Sequence, residues 1–322
     1  MDPTIASFRL TGLCAANFQP FAANGDCDHA AVARHVANLH AQGVTSVFTC
    51  GTTGESLKLT VAERKACLEA WVAAARAAGT GLRVIAHVGA ESLRDAQDLA
   101  AHAASAGAVA IGVVPPTFFK PGDIEAVLRW VEAVASAAPA LPAYHYHIPS
   151  MTGVAVRADR LLERAAALQD AEGRLRTFRG IKYSDADLHI YSNCVAACGG
   201  RFDILYGKDE QGLGALAMGA KGFIGSTYNY VGRDGVAMIA AFERGDAAAA
   251  LAAQRRLQRA VNLLFQSERY GPAGCNVGKA ICELVLGGSG CGAPRLPGAA
   301  ASAEGIERLR ADLQELGGVL PA

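Results

Sequence analysis

The sequence predicts a (β/α)8 barrel, of the TIM type, with a C-terminal helical extension. Three observations carry this. Eight short apolar runs alternate with amphipathic stretches, their spacing is fairly even, and no Gly-x-Gly-x-x-Gly opens the turn after the first run. That last point argues against a doubly wound nucleotide-binding sheet.

The runs lie at 10–18, 46–51, 83–89, 108–114, 141–148, 178–183, 202–207 and 221–228. Most are short, largely apolar and rich in Val, Ile and Phe, which suits parallel strands buried on both faces. Between them, Thr60-Val61-Ala62-Glu63 reads as a capping box: the threonine accepts from a backbone N–H and the glutamate reaches back to the cap. It opens a helix through 64–78 that stops near Gly79. Ser92-Leu93-Arg94-Asp95 gives a similar start to 96–105, ending before Gly107. Segments 124–137 and 161–168 fill two more gaps. Beyond about residue 232 the strand signals cease. Segments 234–244, 246–267, 277–286 and 303–316 read as helices, their alanines being good helix formers. The expected division is a barrel core over 1–232 and a helical extension over 233–322 packed on it.

A chain of 322 residues with 51% hydrophobic content can bury a barrel-sized core. Thirty basic and thirty acidic side chains leave no net charge. No global basic field is present for nucleic acid or an anionic membrane, so an anion must be captured locally. No apolar run reaches the length of about 20 residues that spans a bilayer. Nine cysteines, and no apolar signal core at the N-terminus, point to reduced thiols in a cytoplasmic compartment. Cys194 and Cys198 stand as helical neighbours, but without a Cys-x-x-Cys pair or a histidine cluster no metal ion is expected.

Barrel chemistry sits at the C-terminal ends of the strands. The sixth run ends on a lone lysine, Lys182, with Ser184 two residues on and on the same face. Desolvation favours a neutral amine, which is a nucleophile towards carbonyls. The fifth run, Ala143-Tyr144-His145-Tyr146-His147-Ile148-Pro149, puts Tyr144 and Tyr146 on one face and His145 and His147 on the other. Tyr146 lies near its end. A lone tyrosine is more often core than catalytic; the lysine on the next strand reverses that judgement. After the second run, Gly51-Thr52-Thr53-Gly54-Glu55 offers backbone N–H groups and two hydroxyls that suit a carboxylate, and otherwise reads as an ordinary turn. Asp209 and Glu210 after the seventh run are acceptors for sugar hydroxyls or a solvated acidic loop, and Ser226 and Thr227 lie at the end of the eighth. An amine, a phenol, hydroxyl donors and two carboxylates suit Schiff-base chemistry on a polyhydroxylated keto acid.

Gly51-Thr52-Thr53-Gly54-Glu55, Tyr146-x-x-Pro149, Gly180-Ile181-Lys182 and Gly225-Ser226-Thr227-Tyr228 together resemble the dihydrodipicolinate synthase and N-acetylneuraminate lyase superfamily. The resemblance spans nearly the whole chain. Tyr206-Gly207-Lys208-Asp209-Glu210 and Pro294-Arg295-Leu296-Pro297 are most similar to its eukaryotic lyase branch. The resemblance implies a class I aldolase that cleaves N-acetylneuraminate to N-acetylmannosamine and pyruvate without a cofactor. It makes Lys182 the Schiff-base residue and Tyr146 the proton-transfer residue. Thr52 and Thr53 become carboxylate holders, and Ser184, Gly207, Asp209, Glu210 and Ser226 contacts to the sugar. It also implies a homotetramer.

Where related synthases carry an arginine for a second carboxylate, two residues beyond the proline, this chain has Met151. Phe118 stands where many bacterial members have a tyrosine, His147 replaces an asparagine, and Gln19 replaces a threonine of the first strand. Two rival readings are an aldolase of the same superfamily acting on another keto-deoxy sugar acid and a silent barrel that only binds keto acids.

Overall fold

In a computed structural model that describes residues 3–271, 275–288 and 290–320, eight parallel strands run in chain order around one closed barrel. They are β1 Gly12–Ala16, β2 Ser46–Thr49, β3 Arg83–His87, β4 Ala110–Val113, β5 Ala143–His147, β6 Phe178–Tyr183, β7 Asp203–Tyr206 and β8 Gly222–Gly225. Each lies inside its expected run. Only Gly12 and Arg83 among these residues are not fully buried, as continuous apolar strands require.

The helix Val61–Ala78 opens on the expected capping box. Glu63 N donates to Thr60 Oγ1 at 3.2 Å, and Thr60 N donates to Glu63 Oε2 at 2.8 Å. Ser92 caps Leu93–Ala106 with the first of these two bonds, accepting from Asp95 N at 3.3 Å. Among the longer helices, Val32–Ala41 and Leu188–Ala196 carry weaker signals and escape the sequence reading. The eighth strand ends earlier than expected, because Tyr228 already opens the helix Tyr228–Glu243. Helices Ala247–Leu264, Cys275–Val285 and Ala303–Leu316 follow.

The chain groups into two compact units, one of Val84–Ile224 with the segment before Leu13, the other of Leu13–Arg83 with the segment from Gly225 onward.

In the first unit a bulge sets the phase of β6. Ala143 pairs with Phe178, but the next residue, Tyr144, pairs with Gly180, so Arg179 is an extra residue on β6. Had Arg179 paired with Tyr144 in an unbroken ladder, Ile181 would stand opposite Tyr146. With Arg179 left unpaired, Tyr146 pairs with Lys182. A one-residue slip exchanges the two faces of a strand, so this insertion decides which side chain of β6 stands beside the tyrosine. Gly180 is required there: a Cβ would lie 1.9 Å from the Asp203 carbonyl oxygen on β7. The Asp203 carboxylate closes the layer, accepting from Tyr144 Oη at 2.7 Å and from Leu10 N at 2.9 Å.

In the second unit two glutamates fasten the turn after β2 to the C-terminal segment. Glu55, in a left-handed conformation with φ 57°, accepts from Lys279 Nζ at 2.7 Å, Lys58 Nζ at 2.9 Å and Arg295 N at 3.0 Å. Arg295 turns its guanidinium to Glu63, with contacts of 2.5 and 3.1 Å. Glu63 therefore both caps a helix and holds the chain some 230 residues downstream (Arg295 minus Glu63 is 232).

Three outcomes follow from these contacts. Gly180→Ala should lower unfolding free energy by about 1–3 kcal/mol or more, because the methyl group meets backbone that cannot yield; urea denaturation measures it. Lys279 is 2% exposed and Lys58 25% exposed on the same carboxylate. Lys279→Met should cost about 3–5 kcal/mol, leaving a buried charge with too few partners, whereas Lys58→Met should cost about 1 kcal/mol or less. Hydrogen bonds from Arg295 pull the Glu63 carboxyl from an ordinary 4.5 down to about 2. Its folded-state value is depressed, so its contribution is complete above the unfolded value and is lost as pH falls towards about 2. Glu63→Gln should therefore flatten the acid limb of the stability–pH curve measured by denaturant titration.

Candidate active site

In each unit the predicted residues lie at or just beyond the C-terminal ends of its strands. In the first unit, Lys182 and Tyr146 are paired neighbours near the ends of β6 and β5. Lys182 Nζ lies 3.7 Å from the centroid of the Tyr146 ring. Both residues are 4% exposed. The negative face of an aromatic ring attracts a cation, and burial strengthens that attraction. His87, the last residue of β3, meets the Tyr146 ring edge-on at 6.0 Å between centroids.

Ser184 and Gly207 continue the same layer outward. Ser184 N donates to the His147 carbonyl and Gly207 N to the Tyr183 carbonyl, each at 2.8 Å. A Cβ at Gly207 would lie 2.1 Å from Ser184 Oγ, so glycine at 207 makes the space in which that hydroxyl sits. Asp209 is buried at the start of the turn Asp209–Gln211 and is no solvated loop residue. Glu210 is half-buried and paired with Lys208 at 2.9 Å.

The histidines of β5 belong to a different surface. His147 stacks on Tyr183 at 5.4 Å between centroids, and Tyr183 packs with Tyr191 and Tyr206. Burial lowers the His147 imidazole and brings His145 down to about 3. Both rings are thus neutral packing groups near neutral pH. Burial also raises all three tyrosines of the cluster.

In the second unit, the turn after β2 is built around tight approaches. A Cβ at Gly51 would come 2.7 Å from the Phe48 ring, and one at Gly54 3.1 Å from the Cys50 backbone. Asn17 Oδ1 accepts from Cys50 N at 3.2 Å. Glu55 N donates to the Thr52 carbonyl at 3.0 Å and Ser56 N to Gly51 at 3.2 Å. The turn so held carries Thr53, buried, and Thr52, half-buried. Ser226 follows β8; its carbonyl accepts from Asn229 Nδ2 at 2.7 Å, and the same amide donates to Ala16 at 2.7 Å.

Sequence reasoning missed Asn17, Asn229 and Lys279, which position these turns. Each had a faint signal, a polar group within or beside an apolar stretch that needs a partner when buried. The partners of Glu55 are chiefly two lysines. Gln19 is fully buried and donates to the Pro20 carbonyl at 3.1 Å. Phe118 and Met151 are exposed, at 80% and 64%.

Residues 9–316 match the dihydrodipicolinate synthetase family. The N-acetylneuraminate lyase of Mus musculus is 42% identical over 310 residues, which is 96% of this chain and 93% of that one. N-acetylneuraminate lyase A of Xenopus laevis is 46% identical over 81% of this chain and 83% of its own length. Among solved structures, the N-acetylneuraminate lyase, or sialic acid aldolase, of Aliivibrio salmonicida superposes with a TM-score of 0.88 at 33% identity, covering 98% of this chain and 99% of that one. The chain is a member of the dihydrodipicolinate synthetase family.

Proposed function

We propose that this protein is a class I aldolase that cleaves N-acetylneuraminate reversibly to N-acetylmannosamine and pyruvate through an imine on Lys182. The observation that carries the reading is the buried Lys182 amine over the Tyr146 ring at paired strand ends, in a chain 42% identical to lyases of that name.

The free amine attacks the open-chain keto carbon, and loss of water leaves a protonated imine. Removal of the proton from the fourth-carbon hydroxyl breaks the bond between the third and fourth carbons. The electron pair moves into the imine as an enamine, and N-acetylmannosamine departs as its aldehyde. Protonation of the enamine carbon and hydrolysis release pyruvate and restore the amine. In this scheme Tyr146 relays the proton, Thr52 and Thr53 hold the substrate carboxylate, and Ser184, Gly207, Asp209, Glu210 and Ser226 meet the sugar. The lysine supplies the electron sink. Met151 removes the guanidinium with which related synthases hold a second carboxylate, so aspartate semialdehyde is a poor substrate.

We further read residues 1–232 as the working barrel and 233–322 as its extension, in a cytoplasmic homotetramer. The family resemblance supports the tetramer, and light scattering of the purified protein measures it. Among the described residues no helix is long and apolar enough to cross a membrane.

Pyruvate release from N-acetylneuraminate tests the reaction. Lys182→Ala removes the covalent route and should cost several factors of ten in kcat, each worth about 1.4 kcal/mol of barrier. Tyr146→Phe keeps the ring and should cost about 10²–10⁴-fold, the range of one acid–base group. Near-normal turnover by Lys182→Ala would refute the scheme.

A further inference from the structure

Two clusters of cysteine and histidine contain none of the residues assigned to the aldol reaction. Cys27, His29 and Cys67 form one, and His35, Cys282 and Cys291 the other; in each, the side-chain N and S atoms lie within 4.8 Å of one another. The spacing rule that led to an expectation of no metal misses both, because the partners are far apart in sequence.

The second cluster is closed. All three of its residues are buried, and His35 Nε2 lies 2.7 Å from the Gly290 carbonyl. A nitrogen that donates to a carbonyl carries a proton and has no lone pair for a metal.

The first cluster differs in each respect. Cys67 is buried on the helix Val61–Ala78, Cys27 is half-buried where it bridges to Phe21, and His29 is exposed. His29 Nε2 lies 3.7 Å from Cys67 Sγ. Zinc bonds of about 2.3 Å to sulfur and about 2.0 Å to nitrogen, at a tetrahedral angle, separate those two atoms by about 3.5 Å. The trio is therefore already close to ligand spacing, with an entry path past His29. Cys50, in the same buried cluster as Cys67, stands behind it as a supporting group.

We propose that Cys27, His29 and Cys67 bind one zinc ion, or a similar borderline-soft divalent cation, and leave a fourth position open to solvent beside His29. Two thiol protons leave as two metal–sulfur bonds form, and neutral His29 gives its Nε2 lone pair. The two thiolates balance the charge of the ion. The bound ion ties the turn after β1 to the helix after β2 and is separate from the imine chemistry.

The test uses the reduced, metal-free full chain titrated with cobalt(II), then with zinc in competition. One equivalent of cobalt should give thiolate-to-metal charge-transfer absorption that zinc abolishes. His29 is exposed, so His29→Gln should fold normally and weaken binding by more than the roughly 100-fold that losing a supporting residue can cost. Cys27→Ser should remove most of the absorption, and Cys282→Ser should leave it. Lys182→Ala should bind cobalt like the wild type, which separates this site from the aldolase reading. No charge-transfer band in the wild type would overturn the proposal. A band that survives both His29→Gln and Cys27→Ser, or one lost in Cys282→Ser alone, would overturn it equally.

Discussion

One extra residue in one strand governs the first unit's strand-end chemistry. Arg179 interrupts the ladder between β5 and β6, and everything beyond it is shifted by one place. That shift puts a lysine rather than an isoleucine opposite Tyr146. The cost is a strand that must pass close to β7, and Gly180 meets it by having no side chain to strike the Asp203 carbonyl. The unbroken ladder between β6 and β7 makes Ser184 and Gly207 neighbours one layer further out, where the missing side chain of one makes space for the hydroxyl of the other. A buried amine is thus delivered to a defined place by backbone geometry, which is stiffer than any loop could be.

The second unit solves a different problem. A turn of glycines and threonines has little to hold it, and Glu55 sits within it in a left-handed conformation that a non-glycine residue resists. Two lysines and the backbone of Arg295 fix that carboxylate. Burial pushes the Lys279 ammonium down from its usual value, and the Glu55 charge opposes that shift. The magnitudes rank the contacts. The buried Lys279 pair is costly to break and the more exposed Lys58 pair is not. Through Lys279 on the helix Cys275–Val285 and Arg295 beyond it, the C-terminal segment holds the turn that carries Thr52 and Thr53.

Much of this was legible in the sequence. Eight apolar runs at even spacing gave the strands, and Thr60 with Glu63 gave a helix start correct in both of its hydrogen bonds. Alternation placed Lys182 with Ser184, and Tyr144 with Tyr146, because a period of two survives within a strand. It could not place one strand's lysine against another strand's tyrosine, because register depends on a bulge that leaves only a glycine as its mark. Long-range partners were equally hidden. Lys279 with Glu55, and Cys67 with Cys27 and His29, are contacts of the folded chain that no local pattern encodes. The eighth strand was read too long because Tyr228 is as apolar in a helix as in a strand.

The central claim is that Lys182 forms the covalent bond. Borohydride reduction in the presence of pyruvate, followed by proteolysis and peptide mass analysis, tests it most directly. The account predicts a single reduced pyruvate adduct on the peptide that contains Lys182, and none on the Lys182→Ala variant. An unmodified Lys182 peptide, or an equal adduct on another lysine in that variant, would contradict it.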